Sequence, residues 1–189
     1  MLEPALRHLR RAIEIDPTNE SARAAIPNAY WSNAMYEEAI AANRELTRPV
    51  AWSHLYYVGA GRRDEARRLI DEALARNPND LSATGARALL LAWEGRHAEA
   101  QSLLPNLSPA ARRQQTYHHA TYLRSCVSAL GGDADGAIRW LQETVNTGLR
   151  VYPAFVRDRC FDRIRQTTQF TRFMADFKPI WDEYERRLR

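Results

Sequence analysis

The sequence predicts an all-α protein of stacked helix pairs, and three observations lead there. Alanines recur at Ala5, Ala39, Ala66, Ala100 and Ala137, with two intervals of 34 residues, one of 27 and one of 37. Five residues before each of the last four stands a small turn residue: Ala34, Gly61, Gly95 or Gly132. Apolar residues between the turns follow the helical period, as in Leu2, Leu6, Leu9 and Ile13. A period near 34 marks a two-helix repeat, whose units bury an apolar face only by stacking on their neighbours.

Each element follows in order. The first helix, 3–15, carries the leucine stripe and ends at Asp16-Pro17, because proline disfavours helical angles in the residue before it. A second helix is expected over 20–33, with Ala22, Ala25, Ile26, Ala29 and Tyr30 inward and Pro27 bending it or delaying its regular part. A third follows a tight turn, over 36–47. Only 27 residues then separate Ala39 from Ala66, so the helix within 50–60 must be short. Gly61 to Asp64 turn the chain into helix 65–76, and Asn77-Pro78-Asn79-Asp80 is the strongest breaker in the sequence. Helices 81–94 and 97–104 form another pair, the second stopped by Pro105. Pro109 permits a long helix over 110–130, and Gly131-Gly132-Asp133 turns it into helix 134–147. The glycines supply left-handed residues at helix ends, and the alanines let helices approach closely. The array is expected over 1–149, with a separate helical segment over 150–189.

The chain has 189 residues, 45% of them hydrophobic and 26% charged, which is the balance of a folded domain rather than a disordered one. No apolar run reaches the roughly 18 residues of a membrane span, and no signal segment opens the chain, so a cytoplasmic location is expected. The net charge of +4 sits wholly in the last 40 residues, which hold nine arginines and Lys178 against six acids. A basic C-terminal region can attract nucleic acid, and a nucleic-acid-binding helical repeat is therefore the alternative function. Those cations interleave with acids, however, as in Arg157-Asp158-Arg159, which is the pattern of a solvated helix face.

Ala5…Ala12…Pro17, Tyr36-Glu37-Glu38-Ala39-Ile40 and Gly61…Ala66…Ala73…Pro78 resemble tetratricopeptide repeats, and Gly95…Ala100 and Gly132…Ala137 match more weakly. The resemblance covers residues 1 to about 148. It implies a right-handed α-α superhelix that serves as a protein–protein interaction module, with the first helix of each pair lining a concave groove. The groove candidates are then Asn28, Trp31, Leu55, Leu89, Trp93, His119 and Tyr122, with Ala24, Gly85 and Cys126 beside them. Aromatic and small residues there suit a peptide or protein partner. The alternative for Trp31, Trp52 and Trp93 is that they fill gaps between helices. Asn28 matches a family position that clamps a C-terminal carboxylate, but Ala24 stands where a lysine is needed, so an acidic C-terminal ligand is disfavoured.

Phe155, Asp158, Phe161-Asp162, Ile164-Arg165, Phe170 and Phe173 resemble the closing motif of tetratricopeptide arrays in bacterial multidomain signalling and regulatory proteins. Arg159 and Arg163 stand where that motif has prolines. The resemblance implies that the phenylalanines cap the apolar end of the stack. The array also opens on what matches the second helix of a repeat, so a longer polypeptide is expected upstream. Self-association through the uncovered stripe of helix 3–15 is expected with it.

Nothing in the sequence points to catalysis, a cofactor or a metal. No phosphate-loop, dinucleotide, zinc-protease or nucleophile-elbow string occurs. His119 and Cys126 share a helix face, but two side chains do not make a closed zinc site, and His118-His119 read as packed or groove-lining. Asp133 and Asp135 read as helix caps rather than paired acids. Cys126 and Cys160 offer no disulfide framework or metal spacing and read as buried apolar residues.

Overall fold

The computed structural model describes residues 2–104, 107 and 111–187, and among these the fold is all-α, with no strand. Its helices are α1 (Leu2–Ile15), α2 (Glu20–Trp31), α3 (Tyr36–Arg44), α4 (His54–Gly59), α5 (Arg63–Arg76), α6 (Leu81–Trp93), α7 (His97–Leu103), α8 (Tyr117–Leu130), α9 (Ala134–Asn146), α10 (Tyr152–Arg157) and α11 (Thr168–Arg187). Short 3-10 turns stand at Ala111–Arg113 and Arg159–Phe161. Pro105, Pro109 and Ala110, expected to stop one helix and open the next, lie outside the described residues.

Four helix–turn–helix joints share one geometry. At each, the residue expected to make the turn is left-handed: Ala34 at φ 57°, Gly61 at 73°, Gly95 at 80° and Gly132 at 84°. The next amide reaches back five residues: Met35 to Tyr30, Arg62 to Tyr57, Arg96 to Leu91 and Asp133 to Ser128. This is the Schellman closure, which satisfies carbonyls that a helix end leaves open. Five residues beyond each turn the recurring alanine, Ala39, Ala66, Ala100 or Ala137, is completely buried. A side chain no larger than a methyl lets the second helix lie directly on its neighbours. Asn19, Asp80 and Asp133 cap α2, α6 and α9, their side chains accepting backbone N–H groups of the first turn.

Two helices, α3 and α8, are clearly shorter than expected. α3 ends at Arg44, and the loop to α4 is held by Asn43, whose buried Oδ1 accepts the Val50 amide at 2.8 Å. α4 starts at His54, within the expected short span. α8 starts at Tyr117 rather than 110, because Arg112 to Gln115 are all exposed and bury nothing that would hold a helix there. α2, by contrast, runs unbroken through the buried Pro27.

Consecutive helices pack on one another from α1 to α7, and α8 packs against both α6 and α9. Most of α8 is buried, including Ala120, Leu123, Val127 and Ala129, which makes it the hub of the core. In the C-terminal segment, α11 lies against α9 and the 3-10 turn at Arg159 lies against α8. Phe155, Phe161, Phe170, Phe173 and Phe177 are all buried there. On α1, Leu6 is buried while Leu2, Leu9 and Ile13 are half-buried, so α2 covers much of the stripe; Ile15 stays 71% exposed.

Candidate functional site

The expected groove residues divide into two clusters. Trp31, Leu55, Leu89, Trp93 and Tyr122, drawn from α2, α4, α6 and α8, line one cavity of about 120 Å³. Asn28 and His119 belong to a second cluster alongside. Trp31, Leu55, Leu89, His119 and Tyr122 are buried, whereas Asn28 and Trp93 are half-buried. Trp31 both fills a gap between helices and lines the cavity: it packs edge-on to His119 and Tyr122, with ring centroids 5.7 and 6.0 Å away. Gly85 is buried at a close helix contact, where a Cβ would meet Leu123 at 3.0 Å.

In the second cluster Asn28 Oδ1 accepts the Tyr56 hydroxyl at 2.5 Å and the Trp52 indole N–H at 3.1 Å, while its amide donates to the Ala24 carbonyl. Asn28 is thus engaged within the fold. His119 packs against Trp52 and His118, and its Nδ1 is buried without a partner among the described residues. Burial, then the neighbouring His118 and His54, lowers its pKa to about 3. His54, buried on α4 with Nε2 3.1 Å from the Ser82 hydroxyl, is lowered by burial to about 4. Both imidazoles are neutral at physiological pH.

The cavity's remaining wall was missed by sequence reasoning. The segment after α10 crosses the face of the helix stack and places Asp158 and Arg159 at the cavity. Asp158 Oδ2 accepts the Tyr122 hydroxyl at 2.5 Å and the Tyr36 hydroxyl at 3.1 Å, and its Oδ1 accepts the Cys160 amide at 2.9 Å. Arg157 donates to the Asn33 carbonyl at 3.0 Å, and Arg165 donates to the Asp158 carbonyl at 2.8 Å. Burial, reinforced by the Asp158 charge, holds both tyrosines well above the ordinary phenol range. The Tyr36 ring lies where a Cβ at Gly59 would be, so only glycine at the end of α4 leaves room for it. Local patterns mark Asp158 as a cap for the 3-10 turn, since a short acid two residues before Cys160 serves that purpose. They carry no signal for its partners 36 and 122 residues away.

The cysteines require a correction. Cys126 and Cys160 form a disulfide, with Cα atoms 5.2 Å apart. Each lies in a helical or turn pattern that reads as an isolated buried thiol. The 3-10 turn, however, carries Cys160 onto the face of α8 where Cys126 stands, at a separation that suits a crosslink. The Asp158 carboxylate lies with both sulfurs within 4.8 Å, the one such grouping of potential ligands among the described residues. The sulfurs are consumed in their mutual bond, which leaves no thiolate for a metal.

Among the described residues no helix is long and apolar enough to cross a membrane. No family model matches the chain, and no curated protein matches it.

Proposed function

We propose that the chain is a tetratricopeptide-type helical-repeat module that binds a protein or peptide partner on its concave face and belongs to a bacterial signalling or regulatory protein. The observation that carries this reading is convergence: residues of α2, α4, α6 and α8 that are far apart in sequence meet around one cavity, with half-buried Trp93 in its wall and half-buried Trp52 and His118 packed on His119 alongside. The four equal joints with their buried alanines support the repeat assignment. The face suits binding, because its tyrosine hydroxyls are engaged by Asp158 and Asn28 within the fold and the surface between them is mainly aromatic and aliphatic. The partner engages the rim, since the chain's own segment around Asp158 occupies part of the face.

Nucleic acid is disfavoured by local charge pairing. In the basic tail Arg165 pairs with Asp162, Lys178 with Asp182, and Arg186 and Arg187 with Glu183. The bonded cysteines weigh against a cytoplasmic location, because such bonds persist chiefly in oxidising compartments.

Selection of a displayed random peptide library on the intact chain tests the partner reading. Peptides enriched on the parent should lose binding to Trp93→Arg and His118→Asp variants of unchanged melting temperature. Equal enrichment on parent and variants would place the partner surface elsewhere.

A further inference from the structure

The cavity beside Asp158 joins an apolar body to a cationic mouth. Trp31, Leu55, Leu89 and Trp93 wall about 120 Å³, similar to the roughly 150 Å³ of an apolar cavity that admits benzene. Arg63, the first residue of α5, and Arg159, the first of the 3-10 turn, line the same space and are exposed. Among the described residues neither guanidinium has a hydrogen-bond or ion-pair partner, whereas that of the adjacent Arg62 is paired with Glu65 and Glu37. Among the described residues Asp158 is the one carboxylate on the wall. Its oxygens are turned to the two tyrosine hydroxyls and the Cys160 amide, so the lining holds two unpaired guanidinium groups against one engaged acid.

We propose that this cavity binds a small organic acid, a compact ring or branched aliphatic group bearing one carboxylate. The apolar body sits among the tryptophans and leucines, and the carboxylate lies between Arg63 and Arg159, where charge-assisted hydrogen bonds are strongest. The segment that closes the cavity decides between a free acid and a chain. Asp158 ties that segment to α3 through Tyr36 and to α8 through Tyr122, and the disulfide anchors it two residues on. A cavity of about 120 Å³ is filled by one compact group, so a free acid is the occupant assigned. Occupation of the cavity requires no partner at the rim, and partner binding at the rim requires no acid.

Calorimetric titration of the intact chain with phenylacetate, 2-phenylethanol and phenethylamine, which share one ring and differ in charge, tests this. Phenylacetate should bind at least about tenfold more tightly than the alcohol, the difference expected for a charge-assisted contact. The amine should bind most weakly. Tryptophan fluorescence should report the same saturation, because Trp31 and Trp93 line the site. In an Arg63→Gln, Arg159→Gln variant, both changes at exposed positions, the acid should fall to the affinity of the unchanged alcohol. Equal binding of the three compounds, no binding of phenylacetate, or an acid preference that survives in the variant would overturn the proposal. Tighter binding of acetyl-Gly-Gly-Phe with a free C-terminus than of phenylacetate would assign the cavity to a chain end and overturn the free-acid assignment.

Discussion

Replacing Cys126 and Cys160 together by alanine should lower stability by an amount set by the loop they close. The crosslink spans 34 residues, and closing a loop of that length in the unfolded chain is worth about 4 kcal/mol at 25 °C. For a chain of 189 residues the unfolding entropy is about 0.4 kcal/mol/K, so the midpoint should fall by about 10 °C. Thermal unfolding of the parent with and without reductant, beside the double variant, measures this. The reduced parent and the variant should melt together, well below the oxidised parent. Alkylation in denaturant without reductant should label neither cysteine of the parent. A parent that labels at both, or a variant that melts within about 2 °C of it, would refute the loop-closure reasoning.

Four further outcomes follow from named positions. Ala66→Leu, at a fully buried site, should cost about 1–3 kcal/mol by overpacking, read from denaturant unfolding. Ala34→Gly should stabilise by about 0.5–1 kcal/mol in the same assay, because the native φ of 57° strains any residue with a Cβ. Gly59→Ala, whose Cβ would overlap the Tyr36 ring, should displace that ring from Asp158, lower the melting temperature and speed amide exchange at Cys160. Acid should destabilise the fold between the ordinary histidine pKa of 6.5 and about 4. There the unfolded chain takes up protons that buried His54 and His119 refuse, so stability present above 6.5 is lost as pH falls. Unfolding midpoints measured across that range should flatten in a His119→Phe variant.

The parts of the fold legible in the sequence are those that local chemistry dictates. Ala39, Ala66, Ala100 and Ala137 stand at fixed distances from turn residues, and all four occupy equivalent buried places. Turn chemistry and helical period act within a few residues, so a single sequence displays them. The groove candidates were legible as a face: five of the seven meet around one cavity. Their exposure was not, because the covering segment comes from far along the chain. Asp158, Tyr36 and the Cys126–Cys160 bond escaped for the same reason, since pairing across 122 or 34 residues leaves no mark on local periodicity. The late start of α8 was hidden by Arg112 to Gln115, which could join a helix but are all exposed and bury no apolar face.

The contact between Asp158 and Tyr36 changes how such a stack comes apart. Helix pairs that touch only their neighbours can fray from either end, each unit melting with little regard for distant ones. Here the last segment grips the first helix–turn–helix joint, through Tyr36 and through the Asn33 carbonyl held by Arg157. The linear array becomes a ring of contacts, so opening α2 and α3 must also release the chain's other end. Such closure trades early, local folding for a slower and more concerted transition, since the contact that completes the ring spans 122 residues.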